Sequence, residues 1–425
     1  MPTALTIRKV DGKPGKVYYP LARVALPAPN PGPNDLVIAV SAAALNHRDL
    51  FIRQHLYPGV TFGVPLLADG CGTVTSTGGS TSAKKWLGKR VILNPGTGWE
   101  SDLYGPENQY GYAIMGGTKL NPVGTATETV VIAEGEVEEA PRHLEDVEAA
   151  ALPLTGLTGW RALVTKSGAA EKGKNILVTG IGGGVALMVL LFGVAMGANV
   201  YVTSGSDEKL RKAKALGAKG GVNYKEQGWE KKLLSQVEGE RRTFDAIIDG
   251  AGGDAVDKGV KLLKAGGVIV QYGMTLSPKM TWSMQAVLKN VELRGSTMGS
   301  RKEFADMVQF VRDKQLRPII SKVARGLGNM PAIEDLFDEI KNGSHFEPKM
   351  VSQAVYALGI TLAGAAGAAA LVTIAAAVSK VTGYGWPAPG RNRYQPEPAQ
   401  ANYMRDVVDR NVADMRAALG RRARY

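Results

Sequence analysis

The stretch Asn175-Ile-Leu-Val-Thr-Gly-Ile-Gly-Gly-Gly-Val-Ala186 constrains this chain more than any other. A short apolar run, Ile176 to Val178, leads straight into Gly180, Gly182, Gly183 and Gly184. A helical apolar pattern (Val185, Leu187, Met188, Leu190, Leu191) starts at once. A strand that becomes a helix through bare backbone can turn tightly and let a pyrophosphate reach the main chain, where helix N-terminal N–H groups bind it. The next apolar run, Asn199–Thr203, follows at the spacing of a βαβ unit.

The end of that second strand bears on cofactor choice. A site for an unphosphorylated dinucleotide carries Asp or Glu roughly 20 residues past the glycines, on the ribose hydroxyls. Here the chain reads Thr203-Ser204-Gly205-Ser206, with no acid before Asp207, and Lys209 and Arg211 follow. Hydroxyls and cations suit a 2′-phosphate, so the pattern predicts NADP(H), with Ser204, Ser206 and Lys209 as contacts and Tyr224 covering the adenosine phosphate. The other reading of Lys209 and Arg211 is a pair of solvated helix charges.

Phe244–Asp249, Gly267–Gly273 and Val291–Gly295 repeat the strand pattern between amphipathic stretches, which predicts a parallel sheet covered on both faces. Ligands of such sheets sit at the carboxyl ends of the strands. That places Gly250, Ala251, Tyr272, Gly273 and Met274 near the cofactor.

A chain of 425 residues exceeds a single core and predicts two domains and something extra. One cysteine, Cys71, excludes an intrachain disulfide and any multi-cysteine zinc site, and points to a reducing compartment. The formal net charge is +12, of which residues 350–425 carry nine Lys/Arg against four Asp/Glu. With no basic cluster interleaved with aromatics, nucleic-acid binding is not expected. No signal or transit peptide pattern stands at the N-terminus, so a cytoplasmic location is expected. Residues 1–150 read as β-rich, with strands at Leu36–Ser41, Cys71–Thr75, Arg90–Leu93 and Glu128–Ile132, punctuated by Gly and Pro.

Leu45-Asn-His-Arg-Asp49, the segment Ala149–Trp160, the glycine turn and Gly295-Ser-Thr-Met-Gly-Ser300 together resemble the medium-chain dehydrogenase/reductase superfamily. Within it, the chain is similar to the zinc-independent quinone-oxidoreductase branch, including zinc-type alcohol dehydrogenase-like members. The resemblance covers about residues 5–346. It implies an α/β protein: a GroES-like substrate domain (1–150, completed by 301–349) and a Rossmann NADP-binding domain (151–300), with the active site between them. It also implies a homodimer formed through the Rossmann domain, and Gly180, Gly182, Gly183, Gly184, Val185 and Met298 join the expected cofactor contacts.

Departures from the zinc enzymes decide the expected chemistry. Asn46 stands where a zinc alcohol dehydrogenase has its first cysteine ligand. Leu67-Ala68-Asp69-Gly70 replaces the segment that carries a histidine ligand, and no thiol lies near Leu154-Thr155. A catalytic zinc takes about three N, S or O ligands; His47, Asp69 and Cys71 make a poor local set, so no metal is expected. Hydride transfer to the β-carbon of an enone or quinone needs only hydrogen-bond donors for the carbonyl oxygen. The candidate donors are Asn46, Tyr57, Tyr112 and Thr158, with Ser300 as an outlying choice; Thr158 also belongs to the expected cofactor contacts. Asn46 either donates in the cleft or caps a turn. Asp49 is expected to orient or cap, and His47 to touch the cofactor ribose or face solvent. His55, His143 and His345 are expected to be structural or solvated, and Cys71 an ordinary buried residue. Two alternatives are a zinc-free carbonyl reductase of the alcohol dehydrogenase type and a non-catalytic NADPH-binding protein held through its tail.

The final segment departs from this pattern. Family members close with a short strand after a motif like Gly343-Ser-His-Phe346, and here that strand reads as missing. Val351–Ser379 holds no charged residue, with 11 alanines between Ala354 and Val378. That run is long enough to span a bilayer, which predicts a transmembrane helix over 354–378 and membrane association through it, either as an appended anchor or as a separate gene product joined at Met350. A linker around Trp386 and an amphipathic helix over 399–419 would follow.

Overall fold

The computed structural model describes residues 1–238, 242–275, 279–342 and 357–360. They belong to one compact unit, Met1–Ala370; the second unit, Leu371–Tyr425, lies outside the described residues.

Six parallel strands form one sheet, in the order Gly220–Asn223, Asn199–Ser204, Asn175–Val178, Phe244–Asp249, Leu263–Gln271, Glu292–Gly295. The inner strands are nearly continuous apolar runs because helices cover both faces. Ile176, Val178, Val200, Val202, Ile248 and Val270 pack on one side with Ala186, Val189, Leu190 and Phe192 of the helix Gly184–Ala195. Leu177, Tyr201, Ile247 and Ile269 pack on the other. Strand order reverses between Asn175–Val178 and Phe244–Asp249, and the crevice at that switch point is where such sheets bind ligands. The glycine turn emerges there.

The β-rich half centres on the long strand Asp35–Leu45, which pairs with Asp69–Thr77 and Thr129–Ala133. Sheet order continues through Arg90–Leu93 to Val137–Glu139. The helix Arg301–Asp313 follows the last parallel strand, and Met330–Asn342 packs Ile333, Leu336, Phe337 and Ile340 against the β-rich half. Between them lies the short strand Val323–Arg325.

Two expectations about the tail are corrected here. The closing strand is present: Ala357–Ile360 pairs antiparallel with Val323–Arg325 and parallel with Ala42–Leu45. It falls inside the run expected to be a transmembrane helix over 354–378, so that helix does not form as drawn. An uncharged run of Ala, Leu, Gly and Ile carries no period that separates a buried strand from an apolar helix, and an unpaired sheet edge decides. Among the described residues no helix is long and apolar enough to cross a membrane. The rest of 354–378, the linker and the 399–419 segment lie outside the described residues.

Candidate active site

The site starts from the glycine turn. Gly180 and Gly182 adopt φ of +63° and +126°, conformations that L side chains rarely take. A Cβ on Gly182 would also lie 2.9 Å from Lys209 Cδ, so the turn leaves room for the lysine stem that lies across it. Gly183 caps the helix Gly184–Ala195 with no side-chain acceptor, which leaves the first-turn N–H groups for an anion. Below the turn, the buried Asp249 ties three strand ends together. Thr179 Oγ1 donates to its Oδ1, while Gly252 N (2.7 Å) and Gln271 Nε2 (2.6 Å) donate to its Oδ2.

A cavity of about 110 Å³ lies beside the turn, lined by Thr203, Ser204, Lys209, Tyr224 and Trp229 among others. Lys209 is only 8% exposed, and its ammonium has no hydrogen-bond or ion-pair partner among the described residues. Burial pulls its pKa below the ordinary lysine value. Ser206 is not in the lining; its hydroxyl caps the helix Asp207–Ala215, accepting from Lys209 N. Arg211 is exposed on that helix, and Asp207 accepts from Asn223 Nδ2 (3.1 Å).

The larger cleft, about 280 Å³, brings Asn46, Tyr57 and Thr158 together with Gly180, Gly183, Gly184, Val185, Gly250, Ala251, Tyr272 and Met298. Gly273 and Met274 instead line an adjoining groove with Trp99 and Tyr104, which shares Tyr272 and Thr297 with the cleft. Tyr112 lines neither. Its hydroxyl is buried without a partner among the described residues, and its ring meets Trp99 edge-on at 6.2 Å. Ser300 caps the helix Arg301–Asp313 and is 2% exposed. Its side chain serves the helix.

Asn46 is a helix cap that also lines the cleft. The helix is His47–Arg53, and the Asn46 backbone N–H bonds to Asp49 Oδ2 at 2.8 Å. Asp49 therefore caps and orients. Thr158 Oγ1 donates to Leu154 O at 2.7 Å, which spends its only hydroxyl proton. The Arg48 guanidinium stacks 4.7 Å from the Tyr57 ring centre while binding Asp49 (3.0 Å) and Gly116 O (2.8 Å). His47 lines the cleft with both ring nitrogens buried and unpartnered among the described residues; burial lowers its pKa to about 4, so the ring is neutral. His143 Nε2 meets Leu316 O at 2.8 Å, His55 is exposed beside Tyr19, and His345 lies outside the described residues.

One residue of this centre went unread as part of it. Asp69 is fully buried, accepting from Asn46 Nδ2 (2.8 Å) and Leu154 N (2.9 Å). Burial pushes its carboxyl up to about 8, against the opposing pull of these two N–H donors. The only signal in the sequence was an acid inside an otherwise small and apolar strand, Ala68-Asp69-Gly70-Cys71.

The donor set here does not fit zinc. The three places where zinc enzymes have ligands hold an amide, an apolar pair and Leu154. Among the described residues no group of three or more His, Cys, Asp or Glu is arranged to hold a metal. Cys71 turns to Asp146 (3.8 Å), and burial pushes its thiol up to about 12, which makes it inert.

Residues 32–142 match the alcohol dehydrogenase GroES-like domain, and residues 184–313 the zinc-binding dehydrogenase family. The zinc-type alcohol dehydrogenase-like protein YogA of Leptosphaeria maculans is 53% identical over 351 residues, covering 81% of this chain and 98% of that protein. An acryloyl-coenzyme A reductase of Sulfurisphaera tokodaii is 27% identical over 342 residues, 77% of this chain and 94% of the relative. The crystal structure of an NAD-dependent alcohol dehydrogenase, 28% identical, superposes with a TM-score of 0.68 over 85% of this chain and 100% of its own. The glycine turn at the sheet's switch point, the β-rich half beside it and these matches agree: the chain belongs to the medium-chain dehydrogenase/reductase superfamily of oxidoreductases.

Proposed function

We propose that this protein is an NADPH-dependent reductase of α,β-unsaturated carbonyls or quinones that works without a metal. The observation that carries the reading is the cleft itself, where hydrogen-bonded Asn46 and Asp69 occupy the ground a zinc ion would need. The acryloyl-coenzyme A reductase relative supports reduction of an activated double bond. When bound, NADPH supplies the hydride to the electron-poor β-carbon. Backbone N–H groups at Gly183–Val185 hold the pyrophosphate. Lys209 receives the 2′-phosphate, with Ser204 and Tyr224 beside it; an unpaired buried ammonium is a strong phosphate ligand once paired. Gly250, Ala251, Tyr272 and Met298 line the cleft and would border the nicotinamide.

Asn46 has a second Nδ2–H beyond the one given to Asp69, and this donates to the substrate oxygen as charge builds there. Tyr57 assists from the same wall, Thr158 takes part only as an acceptor, and water returns the proton to the α-carbon. Tyr112, Ser206, Gly273 and Met274 support the site from outside the cleft. A homodimer through the cofactor domain is part of this reading. It is favoured by the edge strand Glu292–Gly295 and the neighbouring exposed Met284 (70%), Val287 (54%) and Leu288 (76%).

The test is NADPH consumption with a panel of enals, enones and quinones, and NADP+ reduction with primary alcohols. Turnover of the unsaturated carbonyls or quinones, with alcohol oxidation absent, is expected. Alcohol oxidation without enone reduction would overturn the reading and favour the alcohol dehydrogenase-type alternative.

A further inference from the structure

Asp69 is a buried carboxyl group whose two oxygens meet neutral donors only, Asn46 Nδ2 and Leu154 N. Burying an ionisable group in this way is costly, and an apolar residue of similar size would avoid the cost. What the carboxyl does is join three separate pieces of chain. Asn46 stands at the junction of the strand Asp35–Leu45 and the helix His47–Arg53. Asp69 opens the strand Asp69–Thr77, and Leu154 lies in the first turn of the helix Pro153–Trp160. Thr125 Oγ1 in turn holds the Asp69 backbone carbonyl at 2.7 Å. Arg48 and Asp49, bonded to each other, are the nearest charges.

We propose that Asp69 is the positioning residue of the cleft, doing by hydrogen bonds what a metal ion does in relatives that ligate one from these three segments. With the Asp69 carboxyl as acceptor on this side, the Asn46 amide turns its NH₂ group toward it, which fixes the amide's two-fold flip. With one proton held by Asp69, planarity sets the direction of the other. Asp69 acts on the substrate only through Asn46, so the inference rests on Asn46 being the donor. It adds to that reading a coupling between the two residues.

The test is a double-mutant cycle on kcat with one enone, in the full chain, using Asp69→Ala, Asn46→Ala and the double variant. Asp69→Ala should lower kcat about ten- to a hundredfold, as expected when a catalytic group loses its alignment. NADPH affinity should stay within about twofold. In the Asn46→Ala background the same change should alter kcat by less than about twofold, because its route of action is gone. Equal effects in both backgrounds, or full kcat in Asp69→Ala, overturn the role of Asp69. Full kcat in Asn46→Ala overturns Asn46 as donor, which is a separate failure. If Asp69→Ala does not fold, Asp69→Leu, which fills the space without an acceptor, runs the same cycle. A neutron structure of the Asp69 variant, which tells amide nitrogen from oxygen, gives an answer independent of turnover: the Asn46 amide should be flipped or in two orientations, and an unchanged amide refutes the proposal.

Discussion

Replacing Lys209 with Met tests the cofactor reading where the structure is most specific. The substitution keeps an unbranched stem to lie across Gly182 and removes the ammonium. A hydrogen bond to a charged group is worth about 1.5–3 kcal/mol, so loss of a contact to a 2′-phosphate should weaken NADPH binding about ten- to a hundredfold. NADH has no such phosphate and should bind within about twofold of before. The wild-type preference, expected to be at least about tenfold for NADPH or about 1.4 kcal/mol, should collapse toward parity. The free protein should respond in the opposite sense. Burial lowers the Lys209 pKa, so its charged form disfavours the fold at neutral pH, and that cost fades as pH rises through the folded-state pKa toward the unfolded one. Lys209→Met should therefore raise Tm without cofactor at pH 7, with a gain that shrinks toward pH 10. Fluorescence titration with both nucleotides and a pH series of melting curves are the assays. Equal weakening of NADPH and NADH would place Lys209 on the pyrophosphate shared by both and refute the 2′-phosphate assignment.

Three other outcomes follow from the same contacts. Purified protein should contain less than about a tenth of an equivalent of zinc, and chelation should leave turnover unchanged, because the donor set is wrong for the metal; stoichiometric zinc by elemental analysis would contradict this. Asp69, with its folded pKa raised to about 8, favours the fold while protonated, so stability should decline as pH rises from about 4 to about 8; Asp69→Asn should flatten that decline in a pH series of denaturation midpoints. Arg161 and Glu303 form a buried pair at 2.8 Å, with Arg161 also bound to Leu103 O and Glu303 to Ser300 N. Glu303→Leu should therefore cost about 3–5 kcal/mol by leaving a buried guanidinium unpaired, read as a loss in urea midpoint.

Fold and cofactor turn were legible because their signals are local. Val178 followed by Gly180 and Gly182 needs only backbone conformation to be read, and the apolar strands alternate with helices at regular spacing. The missing acid after Thr203 was legible for the same reason. What stayed hidden depends on distant partners. Tyr112 has the chemistry of a donor, yet its hydroxyl points into packing beside Gly96 and Trp99, a fact fixed by a neighbouring loop. Thr158 lies in the cleft, but its proton goes to the carbonyl one helical turn back. Ser206 and Ser300 cap helices, which a hydroxyl at a strand–helix boundary does as readily as it binds a ligand. Asp69 matters only because residues 23 positions before it and 85 after it converge on its oxygens.

The tail provides the sharpest test of how far this fold extends. Removing 371–425 leaves every described strand in place, whereas removing 349–425 also takes Ala357–Ile360. That strand lies between Val323–Arg325 and Ala42–Leu45, in register with three residues on one side and four on the other. Without it, two sheet edges lose their partners, and each net backbone hydrogen bond is worth about 0.5–1.5 kcal/mol. A handful of such bonds amounts to about 3–6 kcal/mol, a large share of the typical stability of a domain. The shorter deletion should keep Tm within about 2 °C and leave turnover unchanged. The longer one should lose about 10 °C or more, while a surviving folded fraction still binds NADPH, because the parallel sheet and its glycine turn make no use of the strand. Equal melting temperatures for the two truncations would show that Ala357–Ile360 contributes nothing to the sheet and that the closing position is dispensable. A large loss in the shorter truncation would place a needed element beyond residue 370.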